Sequence, residues 1–259
     1  MKSEFFENIG KSAMEFINTT GRMSIMLGHA ALYAVTPPFK LRNTFKQMEY
    51  VGVKSLFVVI LTGAFTGAVL AMQGYDALKR AGLESMVGPT VALSMARELG
   101  PVLTGLMVAG RAGSAMATEI GTMRVTEQID ALYTMAVNPV KYLVSPRLVA
   151  SILMLPLLTI VSDFVGVLGG YLVSIKLLAI NPGVYIGRTI DFVDADDIFY
   201  GLIKSLVFGC IIAINACYQG FYAQGGAEGV GRCATKAVVL SCVLILISDY
   251  ILTSIMFGS

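Results

Sequence analysis

Apolar and polar positions alternate along this chain on two scales. Over residues 5–33, Phe5, Ile9, Ala13, Phe16, Thr20, Met23 and Leu27 recur at spacings of three and four, with charges on the other faces. That pattern predicts an amphipathic helix able to lie in a membrane interface without crossing it, or a soluble helix held against a partner. Thr36-Pro37-Pro38 ends it. Beyond, the scale lengthens into five apolar stretches of about 20 residues or more, the length that crosses a bilayer at 1.5 Å per residue. They run from about Tyr50 to Leu78, Met86 to Gly110, Leu148 to Leu178, Ile198 to Phe221 and Ala237 to Phe257. The third is long enough to tilt or to kink at Pro156, and a re-entrant pair is its alternative. The expected fold class is an all-α membrane protein. It has about five transmembrane helices, an N-terminal interfacial helix and linker over 1–45, and a transmembrane domain over 46–259.

Between the second and third stretches, residues 111–147 are polar but patterned. Glu119, Ile120, Met123, Glu127, Asp130 and Leu132 recur with helical spacing before Asn138-Pro139 and Ser145-Pro146 close the segment. A helix tethered at both ends by spans is placed to touch a soluble partner, or to rest in the interface without one. Small residues also repeat at four: Gly63 and Gly67, Gly166 and Gly170, and the series Ala109, Gly113, Ala117, Gly121. Such surfaces let helix backbones approach closely, within one chain or between two copies.

Composition agrees with the pattern. Hydrophobic residues make up 56% and charged residues 14% of the 259, and mean hydropathy is +0.74. Soluble domains carry about 25% charge. A formal net charge of +2, with no basic run interleaved with aromatics, argues against nucleic acid. Cys210, Cys217, Cys233 and Cys242 form no CxxC pair, and the single histidine is His29, so neither a zinc site nor a disulfide framework is expected. Lys2, Glu4, Glu7, Lys11 and Glu15 interrupt any apolar core that a cleavable signal would need.

Charge sets an expected orientation. Lys2, Lys11, Arg22, Lys40, Arg42, Lys46, Lys54, Arg111, Arg124, Lys141, Arg147, Arg232 and Lys236 fall on one side of a five-span chain. The other side mixes Lys79, Arg80, Lys176 and Arg188 with Asp76, Glu84, Asp191, Asp194, Asp196 and Asp197. The basic side is expected in the cytoplasm, with the N-terminus inside and the C-terminus outside.

Five charges fall inside the spans: Arg97, Glu98, Asp163, Lys204 and Asp249. Each costs roughly 2.5–3.5 kcal/mol at a span centre, so such residues face a bundle interior or a wet cavity. Lys204 and Asp249 lie at matched depth, about 10–12 Å from the outer ends of their spans, and are expected to pair. That pair would pin two helices together or sit beside a polar substrate group. Arg97 and Glu98, near the middle of the second span, point about 100° apart and need different partners. Gly100-Pro101 follows them and loosens the helix. Asp163 receives no role. No GxxxxGK[ST] phosphate cradle is present, so the chain itself is not expected to bind or hydrolyse ATP.

The runs Ala96-Arg97-Glu98-Leu99-Gly100-Pro101, Ala109-Gly110-Arg111-Ala112-Gly113-Ser114-Ala115 and Glu119-Ile120-Gly121-Thr122-Met123-Arg124-Val125-Thr126-Glu127-Gln128 resemble the MlaE/YrbE permease family. Ser145-Pro146-Arg147, Leu202-Ile203-Lys204-Ser205 and Asp249-Tyr250-Ile251-Leu252-Thr253 extend the resemblance from about residue 45 onward. It implies the homodimeric membrane subunit of a bacterial ABC transporter for phospholipids, in the inner membrane, which maintains outer-membrane lipid asymmetry. It also implies a separate cytoplasmic ATPase, a periplasmic MCE-domain ring and often a small STAS-domain protein. Under it, Arg97, Glu98, Lys204 and Asp249 lie near the lipid cavity, and Glu119, Ile120, Met123, Arg124 and Glu127 belong to the segment that docks on the ATPase. No cofactor is expected on the chain; ATP is used by the partner. The competing readings are a proton-driven secondary transporter with Glu98 or Asp249 as relay, and a scaffold that transports nothing.

Overall fold

The computed structural model describes residues 2–37 and 41–257. Among these every regular element is helical. Helix α1 (Lys2–Val35) comes first and stops before Thr36-Pro37, as the sequence predicts. The side chains of Phe5, Ile9, Ala13 and Phe16 lie outside the described residues. Farther along α1, Met26 and Ala30 are buried and Met23 and Leu27 partly so, whereas Met14, Ile17, Ile25 and Leu32 stay exposed.

Among the described residues, five helical stretches are long and apolar enough to cross a membrane. Span 1 (Leu41–Arg80) joins α2 (Leu41–Val51) to α3 (Leu56–Arg80) through one 3-10 turn. Span 2 (Glu84–Val125) strings together α4 (Val87–Ser94), α5 (Gly100–Val108) and α6 (Ser114–Val125). Its joints are two π-helical turns, Met95–Leu99 and Ala109–Gly113. A short helix, α7 (Gln128–Thr134), precedes span 3 (Val140–Lys176), whose α8 (Ser145–Lys176) runs unbroken through Pro156. The re-entrant alternative for that stretch is therefore excluded. Next come α9 (Pro182–Phe192), span 4 as α10 (Ala195–Phe221) and span 5 as α11 (Gly226–Phe257).

Spans 1, 3 and 5 begin earlier than their apolar stretches, at Leu41, Val140 and Gly226, and two further features differ from the sequence reading. Span 2 does not stop near Gly110 but continues as helix to Val125, because Ala112, Gly113, Met116, Ala117, Ile120 and Gly121 form a buried stripe against spans 4 and 5. The 111–147 segment is thus a long helical extension, an elbow at Thr126–Glu127, the short α7 and the start of span 3. The second difference is α9. Asn181 caps it by accepting from the Gly183 and Val184 amides at 2.9 and 3.4 Å, with Pro182 in the first turn. Tyr185 of α9 is buried edge-on to Tyr171 of span 3, ring centres 5.5 Å apart, and burial pushes its phenol up to about 12.

The glycine motifs pack within the chain. A Cβ on Gly63 would stand 2.8 Å from the Ser162 carbonyl oxygen, and one on Gly67 would overlap the Gly166 carbonyl. Gly63 and Gly67 of span 1 therefore face Gly166 and Gly170 of span 3 with their backbones in contact. In span 4, Gly201 and Gly220 meet the Ala96 and Ala117 carbonyls of span 2, and Gly209 meets Ser151 of span 3. Span 5 is tied to span 4 by the buried Asn215 amide, which donates to the Ala237 carbonyl at 2.7 Å and to Ser241 at 2.8 Å. It is otherwise the least covered span: 11% of its most apolar window is buried, against 50% for spans 2 and 4.

Candidate functional site

Lys204 is fully buried, and the structure gathers spans 2, 4 and 5 around it. Its ammonium donates to Glu98 Oε2 at 2.6 Å, to Thr253 Oγ1 at 2.7 Å and to the Arg97 carbonyl at 3.0 Å. An ammonium has three N–H donors, and these three oxygens use them. Asp249 Oδ1 stands 3.1 Å away as an ion-pair contact without a hydrogen bond of its own. The Lys204–Asp249 pair expected from depth counting is thus present, but Glu98 is the nearer partner. Thr253 closes the group by donating to Glu98 Oε1 at 3.1 Å.

Arg97 turns the other way, as its helix position requires. Its Nε and Nη2 meet Asp197 Oδ1 at 2.7 and 2.6 Å. Asp197 sits in the first turn of span 4, and its second oxygen accepts from the Asp194 amide at 3.1 Å in a capping box. One buried carboxylate therefore both starts α10 and holds Arg97. The sequence reading left Asp197 among the loop acids. The Asp194-x-x-Asp197 spacing before an apolar run marked it as a cap, but nothing linear linked it to Arg97, 100 residues away.

This arrangement corrects the depth of Arg97 and Glu98. Gly201 packs on the Ala96 carbonyl, so they lie about 9 Å below the start of span 4 and not at mid-span. Within the group, exposure divides the roles. Lys204 offers no surface, whereas the Arg97 and Glu98 side chains are 40% and 37% exposed. Two cations and three carboxylates make up the set, and its open members are one of each sign. Asp163, on span 3, places Oδ1 against Gly100 with no hydrogen-bond partner.

A second cluster lies at the opposite end of the bundle. The Arg147 side chain, 4% exposed, reaches Glu119 Oε2 at 2.7 Å and donates to the Leu143 carbonyl at 2.8 Å, which ties the start of span 3 to α6. Arg124 meets Asp130 Oδ1 at 2.6 Å across the elbow, where Glu127 takes a left-handed φ of 60°. Of the five residues expected to face an ATPase, Glu119 and Glu127 are exposed and Met123 and Arg124 partly so. Ile120 does not; it is core, packed with Ala213 and Cys217. Tyr133 and Met135, which the sequence reading passed over, stand exposed beside them.

Comparison with known proteins shows what the chain resembles by sequence. The family described as Permease MlaE matches residues 44–255. A Rickettsia felis protein named a probable ABC transporter permease is 46% identical over 250 residues, 96% of each chain. A Haemophilus influenzae protein named the intermembrane phospholipid transport system permease protein MlaE is 37% identical over 256 residues, 98% of each chain. The chloroplast protein TRIGALACTOSYLDIACYLGLYCEROL 1 of Arabidopsis thaliana is 40% identical over 233 residues, 90% of this chain and 67% of its own. With a family match that takes in all five spans and both charged clusters, the chain belongs to the MlaE permease family.

Proposed function

We propose that this chain is the permease subunit of an ATP-driven transporter that moves phospholipid between the inner and outer membranes and so maintains outer-membrane lipid asymmetry. The likeness over nearly the whole chain to a phospholipid-transport permease carries this reading. The site near Lys204 supports it. A partly open pair of opposite charges, Arg97 and Glu98, suits a head group that is itself charged. Lys204, Asp249, Asp197 and Thr253 hold that pair in place.

In this reading the chain binds no cofactor. A separate cytoplasmic ABC ATPase uses ATP and docks at the elbow through Glu119, Arg124 and Glu127, with Met123 beneath. A periplasmic MCE-domain ring receives the lipid, a STAS-domain protein accompanies the ATPase, and two copies of the chain form the pathway. The basic end faces the cytoplasm, so the N-terminus is cytoplasmic and the C-terminus periplasmic. The proton-relay alternative is disfavoured by geometry, because Glu98 and Asp249 are both engaged by Lys204.

The test is reconstitution with the ATPase in liposomes that carry a fluorescent phospholipid. Lipid transfer that needs ATP and ignores a pH gradient supports the proposal. Transfer driven by a pH gradient without ATP would replace it with the secondary transporter. No transfer under either condition would reduce the chain to a scaffold, and undiminished transfer by an Arg97→Ala, Glu98→Ala variant would remove that pair from the lipid path.

A further inference from the structure

A cavity of about 410 Å³ opens at the basic end of the bundle, far from Lys204. It lies between α1, the α6–α7 elbow and the link from span 4 to span 5. Two guanidinium groups from different elements line it. Arg22 of α1 lies 5.8 Å from the centre of the Tyr222 ring and, among the described residues, is within ion-pair distance of no carboxylate. Arg124 of α6 commits Nη1 to Asp130. A guanidinium has five donors in a planar fork, so Arg124 keeps others for a second acceptor. The Asp130 carboxylate shares the lining beside Arg124, and Ile25, Met26 and Phe221 add apolar surface next to the cations.

Two guanidinium groups beside an apolar lining describe an amphiphile, not a free anion. The setting points the same way. Helix α1 leaves Met14, Ile17, Ile25, Leu32 and Val35 exposed, the mark of a helix that lies among lipids. The cavity therefore opens where head groups are. Its volume falls within the usual range for a small-molecule site.

We propose that this cavity holds one anionic glycerophospholipid of the adjoining leaflet, with its phosphate between Arg22 and Arg124 and its glycerol end on Ile25, Met26 and Phe221. This is a resident lipid and not the transported one. It joins α1, which touches the bundle mainly through Met26 and Ala30, to the elbow that carries Glu127. Elbow position then depends on the charge of the surrounding leaflet.

The test is native mass spectrometry of the full chain released from nanodiscs of phosphatidylglycerol or of phosphatidylcholine. The wild type should retain phosphatidylglycerol preferentially. Arg22→Gln and Arg124→Gln should each cut that preference about five-fold, as expected for one basic residue near a membrane surface. Lys79→Gln, at the other end of the bundle, should leave it intact. Ile25→Trp, which adds bulk to the apolar lining and keeps both cations, should also lose the lipid; this variant separates cavity occupancy from surface attraction. Unchanged retention in the Arg22→Gln, Arg124→Gln double variant would overturn the proposal. So would displacement of the lipid by excess inorganic phosphate, which would mark a soluble-anion site. Loss of ATPase capture by the double variant with lipid retention unchanged would instead assign the cavity to a protein partner.

Discussion

Lys204 supplies the hydrogen bond that Pro101 cannot. In an α-helix the Arg97 carbonyl would accept from the amide of residue 101, and proline has none. Lys204 Nζ donates to that carbonyl at 3.0 Å from the neighbouring span. A helix defect and a buried cation thus satisfy one another, and their union fixes where Glu98 can stand.

Removing Lys204 should therefore be severe. Lys204→Met strands the mostly buried Asp249 and leaves the partly open Glu98 without its cation, and breaking a buried pair costs up to about 3–5 kcal/mol. Thermal unfolding in detergent, followed by size-exclusion chromatography, should show a large loss. Adding Glu98→Gln and Asp249→Asn should recover part of it. A triple variant no better than the single one would show that charge balance is not what holds spans 2, 4 and 5 together.

Exchanging the signs of Lys204 and Asp249 makes a subtler prediction. The pair is 3.1 Å apart, but Glu98 is closer to Lys204, at 2.6 Å. A swapped chain places Glu98 beside a carboxylate, so the double exchange should be only a little better than Lys204→Asp alone. Addition of Glu98→Gln should then restore stability. Full recovery without that third change would mean that Glu98 is not coupled to the pair.

Glycine positions can be ranked by what surrounds them. Gly67→Ala places a methyl onto the Gly166 backbone and should destabilise by about 1–3 kcal/mol, because a carbonyl cannot move aside as a side chain can. Gly74→Ala meets nothing within 4 Å and should be neutral or slightly stabilising. Equal effects in a melting assay would contradict the close approach of spans 1 and 3.

At the elbow, Glu127 combines a strained backbone with an exposed charge. Glu127→Gly relieves the left-handed φ, whereas Glu127→Arg keeps the strain and reverses the charge. If the elbow docks on an ATPase, the arginine variant should lose capture of it and the glycine variant should keep most. Unchanged capture by the arginine variant removes Glu127 from the interface.

Tyr185 offers a test by pH. Its hydroxyl is buried and without a partner. Tyr185→Phe should match or exceed the wild type in stability, whereas Tyr185→Ala should lose about 3–5 kcal/mol. In the unfolded chain the phenol ionises near 10 but in the fold only at about 12, so the wild type alone should weaken as pH rises through that window. A phenylalanine variant with the same alkaline loss would place the titration elsewhere.

Hydropathy made the number of spans legible, since it measures contact with lipid. It could not show where a helix ends once it leaves lipid for protein, and so Ala112 to Val125 read as a polar segment although Met116 and Ile120 are fully buried. The four-residue recurrence of Ala109, Gly113, Ala117 and Gly121 was the clue to continued packing. Depth counting found Lys204 and Asp249 because both lie on regular helices near their ends. It misjudged Arg97 and Glu98 because the start of span 2 rises past the start of span 4 to pack on α9. Asp197 could not be assigned, because its two duties, a local cap and a distant ion pair, leave only the first as a spacing.

The π-helical turns in span 2 bear on how this helix meets its neighbours. Each turn admits one residue more than an α-helix, which rotates everything after it by about 100°. Span 2 is therefore three facets on one axis, each re-aimed at a joint. The first facet packs on α9, the second on spans 3 and 4 and the third on spans 4 and 5, with the Lys204 group at the first joint. A single residue inserted or deleted at Met95–Leu99 would turn the middle facet away while leaving every apolar residue in the chain, and hydropathy would register no change.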